Sequence, residues 1–184
     1  MIRTIDDARN WHSSVQRLAG LVNRLARRYW SEESGSKTLA ETIHRDDDFR
    51  EMEAADLEQL AKRVLEDLDD LAVLLIFSVF EAQVRDLALE GLEEITPTIP
   101  EHPVLVKAID EARERIEHGS FFRLTESYGA GHIDLRTQVD QIRRFRNWVA
   151  HGRRGQAAQN VTPESAADRL RRFLQALEPP PPAE

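Results

Sequence analysis

Forty-one consecutive residues, Phe49 to Leu89, contain neither proline nor glycine. Nothing in that stretch breaks a helix, and at 1.5 Å per residue a single element over 49–90 would run roughly 60 Å. Leu57, Leu60, Val64, Leu68, Leu71 and Leu75 mark one face at helical spacing. From Leu71 to Phe80 the segment is apolar nearly all round, so it belongs at the centre of a core or at a subunit interface. That run is well short of a membrane span. The rest of the chain has to wrap around a helix, and an all-α fold follows.

The remaining segments supply the wrapping. Thr4 and Asp7 stand at capping-box spacing, and Ala8, Trp11, Val15, Leu18, Val22, Leu25 and Tyr29 then alternate by threes and fours, predicting a first helix over 4–30. A polar loop follows at Ser31 to Ser36. Asp46, Asp47 and Asp48 have no glycine turn at calcium-loop spacing and suit a helix N-terminus better than a metal. Gly91 and the prolines at 97, 100 and 103 end the long helix. A third helix is expected over 104–118, stopped by Gly119, and Ser120 to Gly131 reads as an irregular loop with aromatic anchors. A fourth helix over 134–152 takes Asp134 as its cap, and a fifth over 163–177 starts from Thr162 and Pro163. The expected architecture is therefore a single domain over 1–178, an antiparallel bundle of about five helices, with a stiff Pro-rich tail at 179–184.

Composition excludes several classes. There is no cysteine, hence no disulfide and no thiolate metal site, which fits a reducing, cytoplasmic location. The opening residues are not those of a signal peptide. No Gly-rich phosphate loop, nucleophile elbow or His-Glu-x-x-His helix is present, so no metal and no cofactor is expected. The net charge of −8 argues against a generic nucleic-acid binder, yet it is unevenly spread. Residues 136–172 hold nine Arg and three acids, a window of +6 that leaves −14 for the rest.

Within that window, Arg143 to Arg154 surround one imidazole with five guanidiniums. Asn147 and His151 are four apart and share a helix face, with Arg146 about 100° round from Asn147. Such a set suits phosphodiester cleavage: an imidazole moves a proton near neutral pH while Arg holds a phosphate in a bidentate fork. Spacing alone proves little, because 22 Arg and 6 His in this length give roughly 0.7 Arg-x4-His pairs by chance. Arg113 to Gly119 repeats the Arg, His and Gly spacing, but Glu114 and Glu117 there would repel a phosphate. The candidate site is accordingly Arg146, Asn147 and His151, with Arg143, Arg144, Arg153 and Arg154 as RNA contacts. Glu81 with Arg85 at i+4 reads as a plain ion pair or as a carboxylate that orients Arg146.

Arg146-Asn147-Trp148-Val149-Ala150-His151-Gly152 resembles the Arg-Asn-x3-His signature of HEPN domains, an all-helical ribonuclease superfamily of bacterial toxin–antitoxin and antiviral systems. Leu71 to Asp86 resembles the buried HEPN helix that ends in Phe-Glu with a basic residue one turn on. The resemblance covers residues 50–177. It implies a metal-independent endoribonuclease, a toxin or defence effector, that leaves a 2′,3′-cyclic phosphate and a 5′-OH. It also implies a homodimer with a composite site, an RNA substrate, and a cognate antitoxin protein as a possible partner. In one HEPN subgroup a Tyr two residues past the His is modified by a nucleotidyltransferase antitoxin; Arg153 holds that position here, so that control is not expected. The alternatives are a non-catalytic helical interaction module, in which Arg146 pairs with Glu81 and His151 caps its own helix, and the antitoxin half of such a pair.

Overall fold

A computed structural model describes residues 2–30, 45, 47, 51–52, 54–154 and 160–177. The expected loop at 31–36, Asp46 and Asp48, most of the segment after Arg154 and the Pro-rich tail lie outside these residues. Among the described residues the fold is all helical, with six helices and no strand. They are α1 (Ile5–Trp30), α2 (Ala54–Ile95), α3 (Pro103–His118), α4 (Phe121–Tyr128), α5 (Ile133–Ala150) and α6 (Pro163–Leu177), with a 3-10 turn at Thr96–Thr98. No helix among them is long and apolar enough to cross a membrane. The chain divides into two compact units, residues 1–9 with 72–184 and residues 10–71, so the boundary falls inside α1 and α2.

In the larger unit the apolar run of α2 is the centre of the core. Val73, Ile76, Phe77, Phe80 and Val84 are fully enclosed. Val139, Ile142 and Phe145 of α5 and Ala166, Leu170 and Phe173 of α6 complete the enclosure, with Ile5 and Ala8 of α1. The aromatic rings meet edge-on or tilted, as their quadrupoles favour: Phe80 lies 5.7 Å from Phe121 and 5.8 Å from Phe173. Phe121 also meets Phe77 at 5.7 Å and 88°.

Phe121 belongs to α4, a helix where the sequence reading expects an irregular loop. Phe121, Leu124 and Thr125 turn the same way at three-to-four spacing and bury, and the helix is the means by which that stretch delivers them. Gly129, just after it, sits where an added Cβ would come within 2.9 Å of the Phe173 ring. The loop thus needs glycine for close approach to α6.

Helix ends also differ from expectation. α2 runs through Gly91 to Ile95, because one glycine costs a helix only about 1 kcal/mol while Pro97 forbids continuation. α3 begins one residue early, with Pro103 in its first turn and His102 Nδ1 accepting from the Val104 N–H. α5 starts at Ile133, so Asp134 lies inside its first turn and makes no cap. α6 starts as read, with Thr162 Oγ1 accepting from the Ser165 N–H at 3.2 Å.

The smaller unit is an antiparallel hairpin of α1 and α2. Asp69 Oδ1 accepts from His12 Nε2 and from Gln16 Nε2, both at 2.8 Å. Further along, Asn23 shares a cleft of about 310 Å³ with Glu58, Lys62, Leu65, Glu66 and Asp69. His12 is 1% exposed.

Candidate functional site

The end of α5 carries the Arg-Asn-x3-His residues, and its geometry follows from how the helix stops. His151 is the C-cap, Gly152 takes φ +72° and Arg153 takes φ 57°. The Gly152 N–H donates to the Val149 carbonyl at 3.0 Å and the Arg153 N–H donates to the Trp148 carbonyl at 2.8 Å. These two bonds make a Schellman motif, for which a glycine at the left-handed position is the favoured residue. The His151 N–H still donates to the Asn147 carbonyl at 3.0 Å, so His151 stands one full turn beyond Asn147 at the open end of the helix.

Upstream, Val139, Ile142 and Phe145 anchor α5 in the core. Trp148 packs on Phe145 at 5.9 Å and Val149 is partly buried against the same core. The opposite side of the last turn is left for polar groups. Arg146 is half-buried, and its guanidinium carbon lies 5.7 Å from the centroid of the Phe77 ring. Its Nη1 donates to Asn147 Oδ1 at 3.1 Å. Neighbouring helix positions do not face each other, but the long Arg stem bends back far enough to close this bond.

A guanidinium carries five N–H donors, and Arg146 uses a single one among the described residues. The rest of its fork has no acceptor among the described residues. Asn147, accepting through Oδ1, keeps its NH₂ group available to donate. The His151 ring is exposed and makes no hydrogen bond or ion pair among the described residues. An oriented cation, an amide donor and an open imidazole within one helical turn can bind an oxyanion and exchange a proton beside it.

The flanking arginines are less free than the sequence suggests. Asp140 accepts from Arg143 Nη2 at 2.7 Å and pairs with Arg144 Nε at 2.8 Å, so one carboxylate holds both. The three side chains together carry a single positive charge. Arg143 also lies over the Phe122 ring at 5.1 Å. Arg153 and Arg154 are exposed, and Arg153 is not without a partner. The i+3 and i+4 spacing of Asp140 to these arginines was a signal open to sequence reasoning.

Glu81 Oε1 accepts from Arg85 Nη2 at 2.8 Å and makes no hydrogen bond or ion pair to Arg146. Arg85 in turn donates to the carbonyls of Ile116 and of Gly119, the latter at 3.2 Å. Of the two readings of Glu81, the plain helical pair is the one present. Phe77, one turn before Glu81, lies under the Arg146 guanidinium, and its sequence position marks it only as core.

The repeated spacing on α3 ends differently. Gly119 there has φ −74° with no left-handed residue, and Glu114, Glu117 and His118 put their ligating atoms within 4.8 Å of one another, all exposed. That cluster could hold a cation, and its acidity sets it apart from the end of α5. No family model, no curated protein and no solved structure matches the chain.

Proposed function

We propose that the chain is a metal-independent endoribonuclease of HEPN type that acts as a toxin or defence effector. The observation that carries this reading is the Arg146 guanidinium, held on Phe77 and Asn147 with most of its donors unused among the described residues, one turn from an exposed imidazole. In the proposed reaction the ribose 2′-oxygen attacks phosphorus and the bond to the 5′-oxygen breaks. The 2′-OH proton goes to a base and the leaving oxygen takes one from an acid, which yields a 2′,3′-cyclic phosphate and a 5′-OH. His151 serves one of these transfers, Arg146 binds the charge that grows on the non-bridging oxygens, and Asn147 donates to the phosphate. One imidazole serves one transfer at a time, so the reading includes a second copy contributing its own His151. Restraint by an antitoxin protein belongs to the same proposal and rests on the resemblance alone.

The test is cleavage of a mixed single-stranded RNA in the presence of EDTA. Cleavage is expected to persist on chelation, to fall by at least a hundredfold in Arg146→Ala and in His151→Ala, and to be unchanged in Arg113→Ala and His118→Ala. Activity that needs a divalent ion, or equal loss at both helix ends, would overturn the assignment. Absence of cleavage by the intact chain would favour the reading of a non-catalytic interaction module.

A further inference from the structure

The first two residues of α4 go to different places. The Phe121 ring meets Phe77 at 5.7 Å, and Phe77 is the ring beneath the Arg146 guanidinium. Phe122, one step on, turns away from the core and is 41% exposed. The Arg143 guanidinium lies over its ring, 5.1 Å from the centroid. Among the described residues the Phe122 ring meets no other ring or cation.

Asp140 fixes the plane of that guanidinium. Arg143 Nε and Nη2 both donate to Asp140 Oδ1, at 2.9 and 2.7 Å, and Nη1 makes no hydrogen bond among the described residues. The same carboxylate offsets the charge, so Arg143 attracts a phosphate less than Arg146 does. The pair presents an exposed aromatic ring beside a planar cation that keeps N–H donors free. At 100° per residue Arg143 lies between Arg146 and Asn147 around α5, about 60° from the first and about 40° from the second. It precedes them by one turn, about 5.4 Å along the axis. A nucleotide whose phosphate rests on Arg146 and Asn147 therefore has its neighbouring base within reach of Phe122.

The chemistry of the pair selects its ligand. A phosphate gains nothing from a phenyl ring and prefers a cation without a carboxylate beside it; an aliphatic group makes no use of the guanidinium. A nucleobase uses both, laying its π face on the ring and turning carbonyl or ring-nitrogen acceptors toward Nη1. We propose that Phe122 and Arg143 form a stacking subsite for the base next to the phosphate held by Arg146 and Asn147. The base must come from an unpaired stretch of RNA, because a duplex keeps its base faces stacked on one another. This inference rests on the RNA reading above and adds a base contact that Arg146, Asn147 and His151 do not supply.

The test compares two labelled probes by fluorescence anisotropy on the full chain. One is a short mixed-sequence strand of 2′-O-methyl nucleotides, which lacks the attacking 2′-OH and stays intact; the other is an abasic strand of equal length and charge. The wild type is expected to bind the base-bearing strand about tenfold more tightly, the order of one stacked base. Phe122→Leu keeps apolar bulk at an exposed helical position and should lose most of that preference while binding the abasic strand unchanged. Phe122→Trp should retain it. Stacking neutralises no phosphate, so the loss in Phe122→Leu should be the same at low and at high salt. Equal affinity of wild type and Phe122→Leu for the base-bearing strand, equal weakening on both strands, or an equal loss in Phe122→Trp would overturn the subsite. Binding of neither strand by the wild type would overturn it together with the RNA reading. Base-dependent binding that Phe122→Leu removes, without cleavage of ordinary RNA, would support the subsite and remove only the nuclease.

Discussion

Asp7 shows how much one side chain settles at a helix start. Its Oδ2 accepts from the N–H groups of Arg3 and Thr4, and its own N–H donates to Thr4 Oγ1, all at 3.0 Å. Those backbone donors, the Arg3 N–H first, favour the carboxylate and hold its pKa below the ordinary value. A depressed folded pKa contributes stability that is complete above the unfolded pKa, near 4, and is lost as the pH falls through the folded value. The gap in melting temperature between the wild type and Asp7→Ala should therefore be full at pH 7 and shrink below pH of about 4. An equal gap at pH 2 would mean that the capping bonds do not depend on the charge. The cap was legible because its bonds are local: Thr4 and Asp7 satisfy them by spacing alone. At the candidate site the same holds for Arg146, Asn147 and His151, which one helix brings together. It fails for Phe77, whose contact with Arg146 joins residues 69 positions apart in the sequence.

Elements were legible to the extent that their ends are set by local chemistry. Thr162 with Pro163, and Gly152, were read as a helix start and a helix exit from their own preferences, and both hold. α4 was not read, because eight residues between two glycines look like a loop unless one knows that Phe121 reaches the core. The end of α3 depends on a partner of the same distant kind. Arg85 donates to the carbonyls of Ile116 and Gly119, groups that a helix C-terminus leaves without intrahelical partners, while Glu81 holds its other side. Arg85→Met keeps much of the stem and removes these donors, and should cost about 2 kcal/mol, since hydrogen bonds from a charged group contribute about 1.5–3 kcal/mol. Glu81→Gln, which keeps an acceptor, should cost less. Chemical denaturation of both variants checks the order; a larger loss in Glu81→Gln would assign the carboxylate a role beyond holding Arg85.

Along the chain the excess of negative charge lies outside residues 136–172, but that Arg-rich window is less cationic in the fold than in the sequence. Asp140 holds Arg143 and Arg144, Arg171 bonds Asp6 at 2.6 Å and Asp168 at 3.0 Å, and Arg169 donates to Gln141 at 3.3 Å. Arg153 too has a partner. At the end of α5, what is left for a phosphate chain is Arg146, Arg154 and the single net charge of the Asp140 set. Binding of single-stranded nucleic acid loses affinity with salt at a log–log slope of about −0.7 for each phosphate neutralised. Three contacts predict a slope of about −2, whereas all nine arginines of the window would give about −6. Fluorescence anisotropy of a labelled RNA on the His151→Ala chain, which removes cleavage and leaves these cations, measures the slope directly. A value near −2 that moves toward −1 in Arg146→Ala would match the fold; a slope near −6 would mean that the internal ion pairs open to admit RNA.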